Sequence, residues 1–166
     1  MYKKLTDKIR HSAQAGLWGS VVAVILASLF LYASPWRFPA QSDYIERWML
    51  IVGSVVAVLS LSMALLVIRK QVPRLRQMEG LEAKLKGYAE YIRSIYLSIC
   101  VVVIILCLLT VVSSQNVLLM LAMVTTLMLL LAFPNIYKVK VDLGLTDEEM
   151  TSLYGDQYMA EQKDGK

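Results

Sequence analysis

Three long stretches of this sequence contain no Asp, Glu, Lys, Arg or His: residues 12–36, 48–68 and 94–137. A helix needs about 20 consecutive apolar residues to cross the hydrocarbon core of a bilayer, so each stretch is long enough. Of all residues, 57% are hydrophobic and 18% are charged, a composition too apolar for a water-soluble domain of this size. It also excludes a disordered chain, a disulfide-stapled secreted domain and a nucleic-acid binder.

The third stretch is about twice as long as one membrane helix requires, and a polar cluster, Ser113-Ser114-Gln115-Asn116, lies in its middle. Such a cluster predicts a turn between two helices. Backbone groups in hydrocarbon are satisfied only in helices or closed barrels, and the alternation typical of a barrel is absent. We therefore expect an all-α integral membrane protein, a four-helix bundle of two helical hairpins with membrane helices at 13–34, 48–69, 95–113 and 117–134.

The Lys and Arg residues are distributed unequally between the predicted sides of the membrane. Of the 17, all but Arg37 and Arg47 lie in the N-terminal segment, in the loop between the second and third helices, or in the tail. The positive-inside rule therefore predicts a multi-pass protein of the cytoplasmic (inner) membrane, with both termini and loop 70–94 in the cytoplasm. Aromatic residues are expected at both membrane interfaces: Tyr32, Trp36, Phe38, Tyr44 and Trp48 on the outer side, and Trp18, Tyr96 and Tyr137 on the inner side.

The cytoplasmic loop carries an apolar repeat with spacings of three and four residues that continues into the third helix. Because Pro73 is expected to end the second helix, the repeat predicts one helix from about Leu75 to Val112, whose first half extends into the cytoplasm. One interpretation is a coiled-coil seam that contacts a protein partner or a second copy of the chain. The other, favoured because the repeat is short and contains Gly80 and Gly87, is an amphipathic helix on the headgroups or packed back on its own chain. The candidate seam residues are Met78, Leu81, Leu85, Tyr88 and Ile92, followed by Ile95.

Basic residues that flank the predicted spans are candidates for contact with membrane lipid. Each contributes about 1 kcal/mol to the attraction of an anionic membrane surface when it lies close to the headgroups. The candidate anionic-lipid contacts are Lys3, Lys4, Arg69, Lys70, Arg74 and Arg76.

The tail differs from the rest of the chain because it holds seven acidic and four basic residues. Thr146, followed three residues later by Glu149, is a capping-box signal that predicts a short helix to about Tyr154, ending at Gly155. We therefore divide the chain into a transmembrane domain, residues 1–137 with the cytoplasmic loop 70–94, and a cytoplasmic acidic tail, residues 138–166. The predicted apolar face of the tail helix consists of Leu145, Met150, Leu153 and Tyr154.

Small residues recur along the first two membrane helices at spacings that allow helix backbones to approach closely. The pattern favours packing of these two helices against each other within one chain, with a homodimer face as the alternative. The candidate packing residues are Ala15, Gly19, Ala23 and Ala27 in the first helix, and Gly53, Ala57, Ser60 and Ala64 in the second.

The predicted spans lack the side chains that ion-coupled transport or catalysis within a membrane requires. None contains the buried carboxylate or basic residue typical of ion-coupled transporters. Cys100 and Cys107 are seven residues apart on one helix, about 10.5 Å along its axis, too far for a disulfide. No Cys or carboxylate follows His11 at ligand spacing, and no phosphate-binding or nucleophile motif is present. We therefore predict no enzyme, no metal, no cofactor and no identifiable small-molecule substrate.

The remaining signal is helix packing. It favours a non-enzymatic small integral membrane protein, an accessory, assembly or regulatory subunit that makes helix–helix contacts with a partner. The alternative is a small oligomeric channel or uncoupled transporter for a small or neutral solute, assembled around the isolated hydroxyls of the last two spans: Ser98, Thr110, Thr125 and Thr126.

Overall fold

The computed structural model describes residues 2–33 and 43–155, and the predicted anchors Trp36 and Phe38 lie outside these ranges. The described residues form helices and short connections, without a strand, as expected for an all-α chain. The helices are α1 (Tyr2–Ala33), α2 (Asp43–Arg76), α3 (Leu81–Ser113), α4 (Asn116–Leu131), α5 (Ile136–Leu143) and α6 (Asp147–Tyr154).

Three helices are long and apolar enough to cross a membrane: α1 from Leu5, α2 and α3. The fourth predicted span, residues 117–134, is shorter in the structure: α4 ends at Leu131, and α5 follows after a short break at an angle of 78°. The pair passes the same test only when both helices are counted together. The chain thus has three or four candidate spans and is a multi-pass membrane protein by length and composition.

Helix α3 is the element against which α1, α2 and α4 all pack. Helix α1 runs parallel to α3, because Gly16 faces Tyr96 and Gly19 faces Cys100. Helix α2 is antiparallel to α3, since Gly53 lies near Leu106 and Leu109, whereas its last turn brings Leu75 to Gly87. Helix α4 is also antiparallel, since Tyr96 in the first half of α3 reaches Leu129 near the end of α4.

The two small helices lie where the charged ends of the long helices meet. Helix α5 packs against α2, and α6 packs against α1. Arg76, the last residue of α2, donates hydrogen bonds to α5. We call this part of the molecule the basic end: the first turns of α1 and α3, the last turns of α2, and all of α5 and α6.

The prediction that α1 and α2 pack against each other through their small residues is wrong, because Gly19 faces Cys100 of α3 and Gly53 faces Leu118 of α4. In α2, Gly53 and Ala57 are buried, and Ser60 and Ala64 are half-buried. In α1, Ala15 is exposed, Gly19 and Ala23 are half-buried, and Ala27 is buried. The buried face of α1 is shifted from the predicted stripe and consists of Ile9, Ala13, Gly16, Ser20, Val24 and Ala27.

The prediction of one helix from Leu75 to Val112 is also wrong. Helix α2 continues through Pro73 to Arg76, and the chain reverses at residues 77–80 before α3 begins at Leu81. Gly80 allows the reversal because its φ of 88° lies in the region that side chains disfavour. The extra turn of α2 carries Leu75 onto Gly87, where an added Cβ would lie 2.6 Å from Leu75 Cδ2. The turn that follows Pro73 is thus part of the packed core.

The tail helix is confirmed. Thr146 Oγ1 accepts a hydrogen bond from the Glu149 backbone N–H at 3.3 Å, and a Glu149 carboxylate oxygen accepts one from the Thr146 N–H at 2.9 Å. The helix α6 ends at Tyr154, with Gly155 as its C-cap. Of its predicted apolar face, Leu145, Met150 and Leu153 are buried and Tyr154 is half-buried.

Helix α5 was not predicted from the sequence, although both of its ends carry local signals. Asn135 caps its start by accepting a hydrogen bond from the Lys138 N–H at 2.7 Å, and Gly144 ends it with a φ of 61°. Val139 and Leu143 are buried. The proposed domain boundary after residue 137 falls inside this helix.

Replacing Gly16 by Leu is expected to lower the thermal stability of the protein in mild detergent. An added Cβ at Gly16 would lie 2.9 Å from Tyr96 Cβ and 3.1 Å from the Tyr96 carbonyl oxygen, so α1 would have to move away from α3. Overpacking of this kind costs about 1–3 kcal/mol. Ala15→Leu is the matched control, because Ala15 is exposed; equal melting temperatures for the two variants would contradict the contact.

Candidate functional site

The candidate seam lies largely inside the chain. Leu85, Tyr88 and Ile92 are buried in its core, and Met78 and Leu81 are half-buried against that core. Met78 and Leu75 also cover Gly87. In the structure, this surface therefore packs back on its own chain, the second of the two interpretations that the repeat left open.

Arg76 joins α2 to the end of α5. Its Nη2 donates a hydrogen bond to the Val141 carbonyl oxygen at 2.7 Å, and its Nε donates one to the Asp142 carbonyl oxygen at 3.0 Å. These carbonyls belong to the last turn of α5, where a cation also complements the helix dipole. Arg76 is therefore engaged with its own chain, which differs from its predicted contact with lipid.

Three of the other basic residues that were predicted to contact lipid have exposed side chains. Arg69, Lys70 and Arg74 are exposed on the last turns of α2. The side chains of Lys3 and Lys4 lie outside the part of the chain that the structure describes.

Tyr88 connects a third helix, α3, to the contact between α2 and α5. Its phenol O–H donates a hydrogen bond to the Asp142 Oδ2 atom at 2.9 Å, so α3 is tied to α5. Tyr88 lies among charged residues, between Lys86 and Glu90, outside the uncharged stretch 94–137. Burial, with a further contribution from the Asp142 carboxylate, raises the pKa of Tyr88 above its ordinary value. The phenol therefore keeps its proton at physiological pH. We call Arg76, Tyr88 and Asp142 the basic-end junction.

Tyr96 is buried rather than placed at the membrane interface as the sequence suggested. Its phenol donates a hydrogen bond to the Leu129 carbonyl oxygen at 3.0 Å. That carbonyl is available because the Phe133 N–H, its usual partner in a continuing helix, bonds to Leu130 O instead, at 3.1 Å. Lys138 Nζ donates a further hydrogen bond to Ala132 O at 2.8 Å. Tyr96 therefore satisfies a carbonyl in the last turn of α4, and Lys138 satisfies the carbonyl of the residue that follows the helix.

The buried and most of the half-buried hydroxyl side chains within the candidate spans bond to their own helices, whereas Ser98 is exposed. Ser20 donates to Gly16 O at 2.9 Å, and Thr110 donates to Leu106 O at 2.8 Å. Ser28, Ser60, Thr125 and Thr126 make hydrogen bonds of the same type, to the carbonyl four residues earlier. The protons of these six hydroxyls are therefore used within their own helices.

Two apolar grooves open on the outer surface of the packed helices. The first, of about 380 Å³, lies between α1 and α4 and is lined by Leu17, Trp18, Val21, Val24, Ile25, Met123, Thr126, Leu127 and Leu130. The second, of about 430 Å³, lies between α2 and α3 and is lined by Tyr44, Ile45, Trp48, Met49, Val52 and Leu109.

Groups that would bind a metal ion do not converge in the described residues, where no three His, Cys, Asp or Glu side chains form a suitable cluster. Cys100 and Cys107 are free thiols. The polar contacts between distant segments include the basic-end junction and the hydrogen bond from Tyr96 to the last turn of α4, neither of which was predicted from the sequence. Asn135 and Gly144 were the local signals for α5, but the partners of Tyr88 and Tyr96 come from distant segments.

Tyr88→Phe is expected to weaken the attachment of α5 and α6 to the rest of the molecule. Loss of the hydrogen bond to the half-buried Asp142 carboxylate is expected to cost about 1–2 kcal/mol. The measurements are thermal unfolding and the rate of limited proteolysis within residues 136–155, both in detergent. Tyr137→Phe is the control, because Tyr137 is exposed. Identical proteolysis rates in both variants and in the unmodified protein would refute the predicted contribution of this bond.

Comparison of the chain with protein-family models, curated proteins and solved structures finds no significant match.

Proposed function

We propose that the chain is a four-helix bundle of the cytoplasmic membrane, with both termini and the basic end in the cytoplasm. The support comes from the distribution of charge: Lys8 and Arg10 on α1 and Arg69 and Lys70 on α2 lie towards the end where α5 and α6 pack. Positively charged segments that flank membrane spans are retained on the cytoplasmic side.

We further propose that the protein is a non-enzymatic accessory, assembly or regulatory subunit that holds a partner by helix–helix contacts in the membrane. The observation that carries this proposal is the state of the span hydroxyls. Buried Ser20, Thr110 and Thr125 donate to carbonyls of their own helices. A water-filled pathway needs sustained polarity along one face, and this arrangement disfavours the alternative of a channel or uncoupled transporter.

The partner would meet the outward faces of the long helices, because the candidate seam is occupied by the chain itself. Helix α2 is the least covered of these: among its 34 residues only Gly53, Ala57 and Leu75 are buried. Large apolar side chains such as Val58 and Leu65 are more than 60% exposed on it. Outward faces of this composition suit contact with lipid or with another apolar helix.

Cysteine labelling tests the proposed orientation. In a background with Cys100→Ala and Cys107→Ala, single cysteines are introduced by Asp43→Cys at the start of α2 and by Ser152→Cys in α6, both exposed positions. A membrane-impermeant maleimide added to intact cells is expected to label the first and to reach the second only after permeabilisation. The reverse pattern would overturn the orientation.

Site-specific photo-cross-linking in native membranes tests the subunit proposal. A photoreactive residue is placed at Leu29 on α1, Val58 on α2 or Leu127 on α4, which are exposed, and at the buried Ala57 as control. At least one exposed position is expected to give an adduct of a single mass with another protein, and the control none. The same partner should be present in the particle mass measured after purification in mild detergent.

Two results would count against a subunit. One is a particle that contains only this chain, with lipid adducts alone at every exposed position. The other is flux of a small neutral solute into proteoliposomes that contain this chain alone, which would establish the channel or transporter instead.

A further inference from the structure

The groove between α1 and α4 combines an apolar floor with polar groups at one end. Its walls are apolar except for Thr126, whose hydroxyl donates to the Ala122 carbonyl oxygen of its own helix at 2.9 Å. From Leu17 to Ile25 the groove follows α1 for about 12 Å, at 1.5 Å per residue. Its volume of about 380 Å³ is within the range of ligand sites, roughly 300–1,000 Å³.

Polar residues continue the groove face of α1 towards the basic end. Residues three, four and seven positions apart lie on the same face of a helix. Gln14 precedes Leu17 by three residues and Trp18 by four, and Arg10 and His11 precede the same two residues by seven. Arg10 and His11 are exposed and Gln14 is half-buried. Asp7, one turn further from the groove, is the nearest acidic residue in the sequence and is also exposed.

The wall formed by α4 also ends at a basic residue. Leu130 is the last lining residue on this side, and two residues later the Ala132 carbonyl oxygen accepts a hydrogen bond from Lys138 Nζ. An ammonium group has three protons, so Lys138 retains the capacity to bind an anion while it makes this bond. A basic residue thus follows the apolar lining on each wall.

We propose that this groove binds one acyl chain of an anionic phospholipid, with the phosphate at the end where Arg10 and Lys138 lie. Trp18, which is 63% exposed at the same end, is of the residue type that prefers the headgroup level. The site requires only that the helices are inserted in a membrane, so it does not depend on the proposed role as a subunit or on the identity of any partner.

The lining favours a flexible chain over a transmembrane helix of another protein. Helices associate closely in membranes where Gly, Ala or Ser residues line the contact. The groove is lined instead by Leu, Trp, Val, Ile, Met and Thr, and the small residues Gly16 and Gly19 of α1 face α3. A polymethylene chain adapts to the spaces between such bulky side chains, whereas the backbone of a second helix approaches most closely where small residues line the contact.

Native mass spectrometry of the full chain, titrated with phosphatidylglycerol or phosphatidylcholine in detergent, tests the groove. The unmodified protein is expected to retain one phosphatidylglycerol molecule more tightly than any further lipid. Val21→Trp, which fills the groove, should weaken this first binding step at least tenfold. Val22→Trp, on an exposed position that does not line the groove, should leave it unchanged.

The headgroup is tested separately with Arg10→Gln. This variant should lower the preference for phosphatidylglycerol over phosphatidylcholine about fivefold, the effect of one basic residue near a membrane surface, without loss of chain binding. Lys8→Gln is the control, because position 8 is two residues away on a different face of α1. Equal preference in the unmodified protein and the Arg10 variant would overturn the phosphate site.

A second measurement does not depend on the folding of a groove-filling variant. In a protein with Trp36→Phe and Trp48→Phe, Trp18 is the only remaining tryptophan. Its fluorescence should be quenched at lower concentrations by brominated phosphatidylglycerol than by brominated phosphatidylcholine. Equal quenching by the two lipids, equal lipid binding by the Val21 and Val22 variants, or a co-purified polypeptide cross-linked at Leu127 in place of lipid would each refute the acyl-chain site.

Discussion

The contact between Gly16 and Tyr96 connects more of the structure than any single hydrogen bond in it. Between helices in hydrocarbon there is no hydrophobic driving force, so association depends on close packing and on hydrogen bonds. The missing side chain at Gly16 brings the backbone of α1 against Tyr96 Cβ. The enclosed phenol then requires a hydrogen-bond acceptor, which is Leu129 O of α4 at 3.0 Å. One tyrosine therefore joins α1, α3 and α4.

The same bond explains how α4 ends. Sixteen residues give a helix of about 24 Å, shorter than the roughly 30 Å of a hydrocarbon core. In a bilayer, an unsatisfied carbonyl at the end of such a helix costs several kcal/mol wherever water is scarce. Pro134 has no N–H to offer Leu130 O, which instead accepts a hydrogen bond from the Phe133 N–H, and Tyr96 supplies the donor that Leu129 O would otherwise lack. Lys138 bonds to Ala132 O, just beyond the helix, so three carbonyls next to the bend of 78° are satisfied.

What could be predicted from the sequence is what depends on neighbouring residues. Thr146 and Glu149 predict α6 because both halves of a capping box lie within one turn. The small residues of α1 indicate a packing surface but not its partner, and the observed face centres on Gly16 rather than on Ala15. Tyr96 was expected at a membrane interface. The residue that accepts its hydrogen bond, Leu129, lies 33 residues away, so the sequence near Tyr96 does not reveal that the phenol is buried. Pro73 does not end α2, whose last turn places Leu75 on Gly87, a contact between residues 12 positions apart that Pro73 alone does not indicate.

The basic residues show why a count of charges does not by itself identify a binding site. Arg76 directs two of its donors at the end of α5 and is thereby committed to the fold. Lys138 makes one bond, to Ala132 O, and Arg10 is exposed. The charges best placed to meet a phosphate beside an apolar groove are therefore on the side of α1 and α4. Because Lys138 also closes the end of α4, a lipid bound there would act on the same side chain that stabilises the bend into α5. Lipid binding and the geometry of that bend are consequently expected to be energetically coupled.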